Sequence, residues 1–200
     1  MLRTLRLVPV AALALLVGCT DAAKMPADAA IKAGEAAIQG IRAEATKFVP
    51  DQMKALDDTL ARAKDQFGKE DYKGALESAK DLAQKAKDIG AAAAAKKDEL
   101  VKAWNDVSGS LPKMIEVIKS RTDILSQAKK LPAGMDAGKL QAAKDGLAGV
   151  TKSFDDATAQ FKAGALQEAV AAAKPLKDKA AEIMGMLGME AGGAAAPAAK

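Results

Sequence analysis

Residues 67–89 read FGKEDYKGALESAKDLAQKAKDI, and this stretch decides the fold. From Tyr72 its apolar residues fall at Ala75, Ala79, Leu82, Ala86 and Ile89, alternating spacings of three and four. That period puts them on one stripe of a helix that packs against others in coiled-coil fashion. Phe67 closes the stripe of a preceding helix, so residues 68–71 form the turn of a helical hairpin. Glu70-Asp71 stands where the second helix begins, which assigns it to capping and to the helix dipole.

The stretch repeats. At an offset of 94 residues, Phe67, Ala75, Ala79, Lys80, Leu82, Lys85, Ala86 and Ile89 match Phe161, Ala169, Ala173, Lys174, Leu176, Lys179, Ala180 and Ile183. The same offset pairs Met53 with Leu147, Leu56 with Val150, Leu60 with Phe154 and Gln66 with Gln160. A duplicated hairpin follows, with its second turn at residues 163–165. Two copies are too few for a long solenoid.

Working outward, the same period predicts six helices. The first carries Ala27, Ile31, Gly34, Ile38, Ile41, Ala45 and Phe48. Pro50 opens the second, with Met53, Leu56, Leu60 and Ala63. The third runs from Tyr72 past Gly90 towards Val107, and Ser108-Gly109-Ser110 breaks it. Pro112 suits the first turn of a fourth helix, reaching about Leu131. Pro132, Gly134 and Gly138 make the next connection. The fifth carries Leu140, Ala143, Leu147, Val150, Phe154, Ala157 and Phe161, and the sixth runs from Leu166 to Leu187. The expected fold is all-α, an elongated antiparallel helical bundle in two related halves, 27–109 and 110–187. Many inward positions are alanine, so the core is expected to be thin. Outward pairs such as Asp58/Arg62, Asp81/Lys85 and Asp98/Lys102 serve solubility.

The first nineteen residues, MLRTLRLVPVAALALLVGC, have a different character. Arg3 and Arg6 precede an apolar run over residues 7–17, which is half of the roughly 20 residues a membrane span needs. This is the pattern of a secretory signal. Leu16-Val17-Gly18-Cys19 resembles the lipobox of bacterial lipoproteins. That resemblance implies a diacylglyceryl group on the Cys19 thiol, cleavage between Gly18 and Cys19, and acylation of the new amine. Two or three chains make a stable anchor where one does not. Thr20, in place of an aspartate, implies the outer membrane, with the protein facing the periplasm. The organisation expected is a signal over 1–18, a lipid-anchored linker over 19–26, the bundle over 27–187 and a flexible tail over 188–200.

The phrase over residues 67–86 also resembles tetratricopeptide-like hairpin turns and the helical-hairpin domain of Gram-negative outer-membrane lipoproteins. Neither resemblance brings catalytic residues.

Composition narrows the function. The net charge is +4 with Arg3 and Arg6 included, both signs alternate along the chain, and the chain holds one tryptophan and one tyrosine. Nucleic-acid binding wants clustered cations and stacking platforms, so it is not expected. Cys19 is the only cysteine and there is no histidine. This argues against a disulfide, a zinc or copper site and the commonest general base. No catalytic residue, cofactor or metal site is expected. Asp57-Asp58 and Asp155-Asp156 are adjacent on a helix and point about 100° apart, so neither flanks a substrate. Met184, Met186 and Met189 are expected to pack, as is Trp104.

Lys200 follows a stretch of alanine, glycine and proline. The combination of lipidated cysteine, alanine-rich helices and terminal lysine resembles the peptidoglycan-linked lipoproteins of enteric bacteria, which implies a candidate wall linkage at Lys200. Ala198-Ala199 stands where that group has Tyr-Arg. The function expected is therefore a non-catalytic, lipid-anchored envelope protein. It would act as a spacer or interaction module, with the membrane, an envelope protein or peptidoglycan as partner. The alternative is a carrier or holdase for lipid or other apolar cargo. An apolar pocket lined by Leu, Phe and Met marks the carrier, and a narrow alanine seam marks the spacer.

Overall fold

The computed structural model describes residues 22–189. They form an all-α structure of six helical segments: α1 Lys24–Phe48, α2 Pro50–Gly68, α3 Tyr72–Ala79, α4 Leu82–Gln127, α5 Ala137–Lys162 and α6 Leu166–Met186. Only Lys80 and Asp81 separate α3 from α4, and Lys80 keeps helical dihedrals (φ −52°, ψ −35°). Counting α3 and α4 as one interrupted rod gives five rods, against the six helices that the sequence suggests.

The difference lies at Ser108-Gly109-Ser110 and Pro112, where a break is expected and α4 runs straight through. Burial decides this. Trp104, Val107, Leu111 and Ile118 are all buried on one stripe across the site. Each contributes roughly 1.5–3 kcal/mol, against about 3 kcal/mol for a proline in a helix. The Ser110 hydroxyl stays within the helix, donating to the Asp106 carbonyl at 2.8 Å. The boundary of the two halves expected at 109/110 therefore falls inside a continuous helix.

Two compact units divide the chain. The first holds residues 22–42 and 53–87, and the second holds 43–52 and 88–189. In the first, α1 and α2 run antiparallel. Lys64 pairs with Glu35, and Arg42 makes a two-pronged bond to Asp57 at 2.7 and 2.9 Å. Seven residues forward on α1 correspond to seven back on α2, so one register carries both pairs. Gly34 lets Leu82 approach, since a Cβ there would stand 2.7 Å from the Leu82 Cβ. In the second unit, α5 and α6 form a hairpin whose register is set by Ile183 resting on Gly146. Lys97 pairs with Glu44 and Lys177 with Asp106 across helices.

The turn between α2 and α3 and the turn between α5 and α6 have the same hydrogen bonds, 94 residues apart. Lys69 N donates to Asp65 O, Glu70 N to Phe67 O and Asp71 N to Gln66 O. In the later turn Ala163 N donates to Ala159 O, Gly164 N to Phe161 O and Ala165 N to Gln160 O. This is a Schellman closure, with a left-handed residue at Glu70 (φ 64°) and at Gly164 (φ 80°). The next residues also match, Asp71 at φ −78°, ψ 69° and Ala165 at φ −84°, ψ 67°. Even the irregularity recurs, because Pro175 in α6 stands at the position of Asp81 between α3 and α4.

Both ends of the bundle extend beyond expectation. The helix begins at Lys24 rather than Ala27, since Pro26 in the first turn gives up no intrahelical bond. At the other end Gly188 (φ 68°) caps α6, with Met189 N donating to Met184 O at 2.9 Å. Leu187 and Met189 are buried, so the tail expected from Gly188 does not start there.

The matched turns solve their shared geometry differently, and each lacks what the other has. Asp71 caps α3 by accepting from Gly74 N at 2.9 Å, whereas Ala165 provides no side-chain cap. Ala165→Asp should raise stability by about 1 kcal/mol, and Glu70→Gly by about 1 kcal/mol through removal of left-handed strain. Denaturant melts of the two variants check this. Leu82→Asp and Leu176→Asp should each destabilise by on the order of 3 kcal/mol, because both side chains are buried. A melt matching wild type would remove that helix from the core.

Candidate functional site

Gly18, Cys19 and Lys200, the residues to which the sequence assigns processing, lipidation and a candidate wall linkage, lie outside the described residues. The described residues bear on the remaining expectations.

The carboxylate pairs are split as their helical spacing requires. Asp57 turns to Arg42, while Asp58 accepts from Lys54 at 2.7 Å. Asp58 thus pairs with the residue four before it, in place of Arg62. This is the less favourable order with respect to the helix dipole, but the geometry fits. Asp156 likewise pairs with Lys152 at 2.7 Å. Such contacts hold charges in place without building a site. The Asp28, Asp58, Asp123 and Asp156 carboxylates raise the pKa of Lys32, Lys54, Lys119 and Lys152 above the usual lysine value, mainly by accepting hydrogen bonds. Lys80 donating to Glu77 holds that carboxyl below its ordinary value. All these side chains are exposed, and their pairs count for little in stability.

Trp104 is buried, as its stripe position suggests. Its indole stacks on Phe161 (centroids 4.6 Å apart, 11° between planes) and on Phe154 (5.9 Å, 10°). Phe154 and Phe161 lie seven residues apart on the inner face of α5, so their convergence on one partner was within reach of the heptad pattern. The methionines divide. Met184 and Met189 are buried, while Met186 is 41% exposed on the opposite side of α6.

Met186 borders an open groove of about 380 Å³ between α5 and α6. Gly146, Gly149 and Val150 form its floor on α5; Leu176, Ile183 and Met186 line it on α6. Ser153, Lys179 and Glu182 stand at its polar edges. The apolar stripe leaves this face unmarked because Gly146 and Gly149 are gaps in it; the signal for it in the sequence is two glycines three apart within a strong helix. A smaller cleft of about 260 Å³ lies between α4 and α6, edged by Asp106, Lys174, Lys177 and Asp178. Charged side chains line it, and Lys177 bridges to Asp106 at 2.9 Å.

The single tryptophan reports on the packing of α4 with α5. Trp104→Ala should cost about 3–5 kcal/mol, and native emission should lie to the blue of the unfolded chain; an emission maximum unchanged by denaturant would contradict the stacked, buried indole. Compared with known protein families, with curated proteins and with solved structures, the chain matches none.

Proposed function

We propose that this chain is a non-catalytic, lipid-anchored protein of the bacterial envelope that serves as a spacer or docking module. The observation that carries the reading is how the helix seams are closed. Among the described residues twelve alanines are no more than 1% exposed, and they recur along every rod. Helices packed on alanine stand close together and leave little room for cargo between them, which favours the spacer over the carrier. Phenylalanines that would suit a cargo pocket are used otherwise: Phe154 and Phe161 stack on Trp104, and Phe67 makes an edge contact with Tyr72 at 5.1 Å. The outward faces hold charges of both signs, suited to a hydrated compartment or a protein partner.

The anchor and the address rest on residues 1–20. Cys19 receives the lipid, the signal is cleaved after Gly18, and Thr20 directs the protein to the outer membrane on its periplasmic side. Among the described residues no helix is long and apolar enough to cross a membrane, so attachment of this part falls to the lipid. The recurrence of one turn at an interval of 94 residues supports descent of both hairpins from one unit.

The carrier reading keeps one observation, the groove beside Met186. If it held an acyl chain, a fluorescent fatty acid would bind the wild-type protein and be lost on filling the groove. The anchor has its own test. Cells fed a palmitate analogue should label the wild-type protein and not a Cys19→Ala variant, and equal labelling of the two would overturn it. Membrane fractionation then checks the address, with recovery in the outer membrane expected. Wall material boiled in detergent and digested with lysozyme decides the Lys200 linkage. Retention of the wild type and loss on deleting Lys200 would establish it.

A further inference from the structure

The groove on the α5–α6 hairpin has a symmetry that its lining alone does not reveal. Residues from α5 and α6 form it, and α4 contributes none. Its floor includes Gly149, which is exposed in mid-helix with nothing within 4 Å of where a Cβ would stand. Glycine weakens a helix at that point, and among the described residues no neighbour makes use of the space. Four exposed charges flank it: Lys179 and Glu182 of α6 belong to its lining, and on α5 Asp145 and Lys152 stand next in sequence to the lining residues Gly146 and Ser153. Lys179 and Glu182 make no ion pair among the described residues. Asp145 accepts from Gln141 and Lys152 pairs with Asp156, both in exposed contacts one helical turn long that exchange readily.

We propose that this face is an isologous interface with a second copy of the same chain. The argument is charge complementarity under one two-fold axis. An axis crossing α6 between Ala180 and Ala181 sets Lys179 against Glu182 of the second copy, and Glu182 against its Lys179. The register fixed by Ile183 on Gly146 carries the same axis across α5 between Ala148 and Gly149. There it sets Asp145 against Lys152 of the second copy, and Lys152 against its Asp145. A single operation therefore satisfies the rims of both helices, as a self-complementary patch requires. Gly149 lies beside the axis, where the two α5 backbones come nearest. Its missing side chain is what admits them. Met186, 41% exposed, supplies apolar contact between the charged rims. The proposal is independent of the anchor and of the spacer reading, since a monomeric spacer needs no such face.

The test measures the molar mass of the full chain in mild detergent by light scattering over a range of concentrations. Wild type should reach twice the chain mass. Lys179→Glu places a carboxylate opposite Glu182 of the second copy, and Glu182→Lys places two ammonium groups together. Each should weaken association at least about tenfold. The double swap Lys179→Glu with Glu182→Lys exchanges the partners and should restore it. A Cβ at Gly149 meets no described atom within 4 Å, so Gly149→Arg, which occupies the groove, should give a monomer whose thermal midpoint is no lower than wild type. Any of three results overturns the proposal. These are a wild type that stays at the chain mass, single reversals that associate as wild type does, and a double swap that remains monomeric. Association surviving in both Gly149→Arg and the single reversals would place it elsewhere, the apolar stretch over residues 7–17 included.

Discussion

The structure depends on how closely its helices can approach. Alanine at the seam positions brings helix axes together, and dispersion contacts between backbones and short side chains then do the work that large side chains do elsewhere. At two of the seams a large residue enters where a small one faces it. Leu82 lies against Gly34, and Ile183 against Gly146. This reciprocity fixes register more sharply than a uniform leucine seam would, since one residue of slip sets leucine against a side chain that cannot yield. The cross-helix ion pairs Arg42–Asp57 and Lys64–Glu35 follow from that register; at the exposure they have, they do not create it.

The two hairpin turns show which part of the design is strict. Their backbone bonds coincide one for one, yet the side chains there differ freely: glutamate or glycine in the left-handed position, aspartate or alanine at the cap. What is held constant is the satisfaction of the last carbonyls of one helix by the first amides beyond it. The position shared by Asp81 and Pro175 belongs to the same scheme. In one hairpin the ladder is interrupted there without proline, and in the other proline removes a donor from an unbroken helix.

Much of this was legible in the sequence, and for a physical reason. A stripe with spacings of three and four specifies a helix and its buried face together, so Ala75, Ala79, Leu82 and Ala86 were identified as core before any packing was known. Ser108-Gly109-Ser110 and Pro112 were misleading because local propensity opposes a helix there, while the burial of Leu111 and Ile118, which overrides it, is a tertiary effect. The opposite error occurred at Lys80-Asp81, where the apolar stripe from Ala79 to Leu82 runs on unbroken and conceals an interruption. The α5–α6 groove was illegible for a third reason. A concave surface arises from what two helices omit, and glycines at Gly146 and Gly149 leave no apolar signal to count.

A core closed by alanine also governs how stability responds to temperature. The heat capacity of unfolding follows the apolar area newly exposed to water, and a buried methyl exposes far less than a buried leucine or phenylalanine. With Ala27, Ala45, Ala63, Ala143, Ala157 and Ala180 at the centre of its seams, the chain should show a smaller heat-capacity increment per residue than the usual value of about 12–15 cal/mol/K. Its free-energy curve is correspondingly shallow. Such a protein gains little at its temperature of greatest stability and loses little on either side of it.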